Sequence, residues 1–144
     1  MIDEHQVLRF RSMDSAAPRL MRMFNSLTRA HMFFQGAVDL RTISVSDVLE
    51  NGSIEATFHG VRIKFEPLLV FGPDRQPRAR VVVMHCHCTF GLPIQDLLGS
   101  FHFDDDGVTD LLCDTDGQFP RMDSDAPEIV LRFLDAAMDA NRRL

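Results

Sequence analysis

The sequence predicts an α+β fold: an N-terminal helix, a four- to five-stranded antiparallel meander and a C-terminal helix, with both helices packed on one sheet face. Three observations predict it. Apolar residues recur at three- and four-residue spacing only near the two ends of the chain, they alternate with polar residues between those ends, and Gly and Pro punctuate the middle at short intervals. With 144 residues, 45% hydrophobic and 25% charged, and with 8 Gly and 7 Pro in no run, residues 1–144 read as one domain that needs neither disulfide nor metal to bury a core.

Residues 1–13 are polar and are expected to fray. Asp14 or Ser15 then caps a helix with Pro18 in its first turn, where a missing N–H costs little. Leu20, Met23, Phe24, Leu27, Ala30, His31 and Phe34 form one buried stripe running to about Gln35, and Gly36 is placed to end the helix. On the opposite side Arg19, Arg22 and Arg29 project from one face.

Ile54, Ala56 and Phe58 alternate with Glu55 and Thr57, the His59-Gly60 pair offers a tight turn, and Val61, Ile63 and Phe65 alternate with Arg62, Lys64 and Glu66. That is a hairpin, with Pro67 marking a bulge or an edge beyond it. After the loop at 72–78, residues 79–90 form a strand apolar on both sides at 81–84, as expected of a middle strand covered on both faces. Gly91 and Pro93 end it, Ile94 to Leu98 suit a short helical turn, and 101–113 read as a hairpin around Asp104-Asp105-Asp106-Gly107. Asp125 and Glu128 open a last helix that turns Val130, Phe133, Leu134, Ala137 and Met138 inward, with Arg142 and Arg143 at its negative end.

Three cysteines, an odd number, fit a reduced compartment. An acidic start and the absence of any long apolar run point to a cytoplasmic chain without a membrane span. The charge is uneven: residues 1–99 carry 11 basic and 10 acidic side chains and residues 100–144 carry 4 and 11, together the net -6. Asp104, Asp105, Asp106 and Asp110 belong to that acidic third, which would repel nucleic acid and attract a basic protein patch. One Lys, and neither Trp nor Tyr, make direct nucleic-acid binding a poor expectation.

The unusual string is Met84-His85-Cys86-His87-Cys88. On a strand it aims the two His to one face and the two Cys to the other. His85 and His87 could share zinc if His102 with Cys113 or Asp114 supplied the third and fourth ligands, but no CxxC or HExxH spacing supports such a site. The plainer expectation is that both Cys are small buried residues and the His pair is partly exposed. The phosphate-binding glycine motifs are absent, and from Asp114 an EF-hand spacing fails because Phe119 stands where Gly is required. No cofactor is expected.

From Phe90 onward, FGLP, then FHFDDDG followed by VTDLL, then a terminal helix ending FLDAAMDANRRL, the chain resembles the second half of the bacterial type III secretion chaperone fold. A helix and three strands precede it in the same order, while the helix expected between the third and fourth strands is reduced to Ile94 to Leu98. The resemblance implies a small, acidic, cytosolic, non-enzymatic homodimer that holds an extended stretch of a secreted protein. The residues themselves predict a protein-binding module with two contact surfaces, the Arg19, Arg22, Arg29 face and the acidic turn with Asp110. It would act as a chaperone-like adaptor, or as a phage- or mobile-element-encoded inhibitor of a host complex that handles nucleic acid. The alternative is a small zinc enzyme or metal sensor built on His85 and His87.

Overall fold

The structure is a computed structural model that describes residues 1–112 and 117–142. Its elements follow the order helix, sheet, helix. Helix α1 spans Glu4–Asn25, the strands are β1 Ile43–Val45, β2 Ile54–Phe58, β3 Val61–Phe71, β4 Pro77–Thr89 and β5 Leu92–Phe103, and the last helix is Ala126–Asn141. Between α1 and β1 the helical path continues through a 3₁₀ turn at Ser26–Arg29, the short α2 at Ala30–Met32 and a π turn at Phe33–Ala37, so the last helix is α3. The sheet is a fully antiparallel meander in the order β1-β2-β3-β4-β5. No helix among the described residues is long and apolar enough to cross a membrane.

Both helices cover the same face of this sheet: α1 lies across β4 and β3, and α3 lies across β3, β2 and β5. That face follows the sequence alternation. Ile54 and Ala56, Ile63 and Phe65, Ala79, Val81 and Val83, and Phe101 and Phe103 are all buried beneath the helices. From above, Leu20, Phe24, Leu27 and Phe34 meet Ile129, Val130, Phe133 and Leu134 in the same core. Phe133 is the hinge of this packing, edge-on to Phe65 at 5.9 Å between centroids and stacked on Phe101 at 5.7 Å. A Cβ at Gly99 would stand 3.4 Å from the Phe133 ring, in van der Waals contact with it.

The hairpin turn forms as the sequence predicts, with His59 and Gly60 at φ of 46° and 81°, the left-handed pair of a two-residue turn. β2 ends opposite Phe65, so Pro67 meets no strand on that side and its missing donor costs no ladder bond there.

Several expectations are corrected. The first turns do not fray: α1 begins at Glu4, with the Asp3 carboxylate accepting the His5 N–H, and Pro18 sits inside the helix rather than in its first turn. What holds this early segment is the far end of the β3–β4 hairpin, where the Arg9 guanidinium lies 4.3 Å from the Phe71 ring centre while Met13 and Ala16 pack on the core. Gly36 is not a left-handed cap; Asp39, at φ 51°, takes that conformation before β1. β4 is paired on both edges but β3 is the middle strand, and only one face of β4 is covered. Ile94 to Leu98 are strand, not helix: they lie within β5, and the irregularity opposite Val83 and Met84 is a bulge at Leu98. The second strand of the hairpin after Phe103 shrinks to two isolated bridges, Phe103 with Thr109 and Val108 with Arg121. Cys113, Asp114 and Arg143 lie outside the described residues. Asp125 precedes α3 without capping it, its carboxylate accepting the Arg121 N–H instead.

Phe133→Ala should remove both ring contacts and leave a cavity between α3 and the sheet, costing about 3–5 kcal/mol. Denaturant unfolding monitored by circular dichroism checks this, and a loss under about 1 kcal/mol would place the packing centre elsewhere.

Candidate functional site

Because Leu20, Phe24 and Leu27 are drawn into the core, the opposite side of the same helical run is turned to solvent, and it carries Arg19, Arg22 and Arg29. These three side chains line a groove of about 280 Å³ together with Met23, Ser26 and Asp123. Arg19 Nη2 pairs with Asp106 Oδ1 at 3.1 Å. Arg121 braces the far wall, with Nη2 donating to the Asp106 carbonyl at 2.8 Å and Nε pairing with Asp123 Oδ1 at 3.2 Å. Partial burial pushes the Asp123 carboxyl upward, but the Arg121 hydrogen bond and charge outweigh it and hold the group below the usual carboxylate value. Arg22 and Arg29 pair with no carboxylate among the described residues.

The acidic turn is built largely for its own closure. The Asp104 carbonyl accepts from Gly107 N–H at 2.9 Å, and its Oδ1 accepts from the N–H groups of Asp106 and Val108 at 3.1 and 3.0 Å. Gly107 supplies the positive φ of 83° that this turn requires. Asp110 is tied as well: it accepts the His102 N–H at 2.8 Å and pairs with His102 Nδ1 at 3.3 Å. Of the four predicted acidic contact residues, Asp105 alone carries no such tie. The Arg face and the acidic turn, expected as two surfaces, are therefore one, joined by the Arg19–Asp106 pair.

The histidines are arranged differently from expectation. The alternation that buries Val81 and Val83 continues to His85 and His87, so the His pair faces the helices while Cys86 and Cys88 face the open side of the sheet. His85 is the buried one, at 3% exposure, and Cys88 is exposed. His102 cannot complete a three-histidine site: it is opposite Arg80 on the uncovered face, toward the other end of the strands, whereas His85 is opposite Ile63 and Asp96. The partners of His87 are instead Asp96, whose Oδ2 lies 2.6 Å from Nε2, and Thr89, whose hydroxyl lies 3.2 Å from Nδ1. Sequence reasoning missed Asp96, because Ile94 to Leu98 read as a helical turn and only their pairing with β4 brings Asp96 beside the histidines. A second groove, about 550 Å³, runs between β1 and α3 and is lined by Leu40, Phe58, Leu131 and Met138 among others.

No protein-family model, curated protein or solved structure matches the chain.

Burial, reinforced by the neighbouring His87 and opposed by Asp96, holds the His85 pKa below its ordinary 6.5. The unfolded chain then takes up a proton that the folded chain resists, so this contribution to stability is complete above about pH 6.5 and is lost as the pH falls below it. Thermal melts on either side of that pH should show the loss, and His85→Gln should flatten it; an unchanged pH profile in the variant would contradict the assignment.

Proposed function

We propose that this chain is a non-enzymatic protein-binding module that receives an acidic segment of its partner in the Arg19, Arg22, Arg29 groove. The observation that carries the reading is that Arg22 and Arg29 line this groove without an ion-pair partner among the described residues, while Asp123, the carboxylate that lines it with them, is paired with Arg121, in a chain whose net charge is -6. Cations left unpaired in an otherwise acidic protein steer an acidic partner to one place and set its orientation. Arg19 is paired with Asp106, and Asp123 with Arg121, so Arg22 and Arg29 are the groove cations left to meet a partner.

The adaptor form of the reading, a chaperone-like module holding another protein, fits these features better than the inhibitor form. An inhibitor that imitates nucleic acid needs carboxylates free to meet its target, whereas Asp104, Asp106 and Asp110, although Asp106 and Asp110 are exposed, each hydrogen-bond or pair within the chain. The zinc reading lacks its third histidine, because His102 lies on the other sheet face.

Arg22→Glu with Arg29→Glu alters two exposed positions and should leave thermal stability within about 0.5 kcal/mol of wild type. Fluorescence anisotropy with a labelled poly-glutamate peptide should then show binding weakened by at least about tenfold, or about 1.4 kcal/mol, while Asp105→Lys leaves it equal or stronger. Equal binding by the double variant and the wild type would refute the groove as the site.

A further inference from the structure

The two edges of the sheet are treated differently. At β1 the edge is closed by side chains from the helical run: the Val45 N–H donates to His31 Nδ1 at 3.1 Å, and Gln35 Nε2 donates to the carbonyls of Arg41 and Ile43 at 3.1 and 2.9 Å. At β5 the outer edge meets only Thr109 and Asp110, at its Phe103 end, and residues 92–100 have no outer neighbour among the described residues. A long uncovered edge normally carries a lysine or several charges to keep other chains away. This one carries a single charge from Leu92 to Ser100, Asp96, and it exposes Leu92 and Leu97 by 66% and 61%.

The direction of the free backbone groups follows from the turn. Phe90 and Gly91, at φ of 53° and 76°, form a two-residue turn closed by Thr89 and Leu92, which makes that pair hydrogen-bonded. Alternation along the ladder then points the backbone groups of Pro93, Gln95 and Leu97 outward. The side chains around Gln95 read Leu-Pro-Ile on one side and Asp-Leu-Leu on the other, an almost palindromic apolar pattern.

We propose that the outer edge of β5 pairs antiparallel with β5 of a second copy of this chain, with Gln95 on the two-fold axis, so that two sheets become one. In this register Gln95 exchanges both backbone hydrogen bonds with its counterpart, and each Leu97 N–H reaches the opposite Pro93 carbonyl. Proline's missing donor removes one bond per copy and leaves four across the axis. Leu97 covers Pro93, Leu92 meets Leu98, and Asp96 meets Ile94, so no like charges are opposed. Moving the axis one residue to Asp96 would set two carboxylates face to face, which fixes the register. The fully exposed Phe90 of each copy comes alongside Gly99 and Ser100 of the other, which accounts for a bulky aromatic at the tip of a hairpin.

Sedimentation velocity over a concentration series tests the surface, and cysteine cross-linking tests the register. The wild type should sediment as a dimer, and Leu92→Lys with Leu97→Lys, both at exposed positions, should sediment as a monomer with an unchanged circular dichroism spectrum. With Cys86, Cys88 and Cys113 replaced by Ser, Gln95→Cys should form a disulfide-linked dimer on mild oxidation, since paired Cα atoms about 5.5 Å apart lie within bridging range, and Asp96→Cys should link far less. A wild type that is monomeric throughout, a dimer that survives the lysine pair, or preferential linking through Asp96→Cys would each overturn the proposal.

Discussion

Everything in this structure depends on one sheet having one covered face. α1 and α3 both lie on the side defined by Ile63, Phe65, Val81, Val83 and Phe101, and Phe133 locks α3 there by contacting Phe65 and Phe101 together. A fully buried aromatic of this kind contributes about 1.5–3 kcal/mol through removal of its surface from water, before ring geometry adds to it. The cover fixes the fate of each alternating residue. His85 is placed under the helices and loses proton affinity, while Cys86 and Cys88 are left on the open side beside Lys64, whose ammonium is bonded to Glu66 at 2.8 Å.

The same cover organises the charged surface. Drawing Leu20, Phe24 and Leu27 inward turns the three arginines outward, and the turn at Asp104–Gly107 brings Asp106 back beneath Arg19. What is a strongly acidic stretch in sequence is then spent on turn closure and on braces to Arg19, Arg121 and His102. Along the groove, the charges without an ion-pair partner among the described residues are those of Arg22 and Arg29. Net charge and the local charge of the groove are therefore opposite in sign.

Much of this was legible in the residues. The stripe from Leu20 to Phe34, the turn at His59-Gly60 and the inward face of α3 are each written in a period that survives into the fold, except that Met138, expected inward, is exposed near the end of α3. Other elements were not legible, for physical reasons that can be named. The first turns of α1 are too polar to signal a helix, and the Arg9–Phe71 contact that helps to hold them is to a hairpin distant in sequence. Ile94 to Leu98 look helical because a bulge at Leu98 shifts the alternation by one residue and breaks the strand period. The His and Cys of 85–88 are equally buriable by type, so only the position of the helices decides which pair goes inside. The joining of the Arg face to the acidic turn spans 87 residues of sequence and leaves no local trace.

Hydroxyl-radical footprinting read by mass spectrometry tests the one-sided sheet most directly, because it reports side-chain access along both faces of the same strands. Phe65, Phe101, Phe103 and Phe133 should be modified far more slowly than Leu68 and Cys88, which lie on the open side. Comparable modification of Phe65 and Leu68, adjacent faces of β3, would mean that the helices do not cover the sheet as described, and the account of the groove and of the open edge would fall with it.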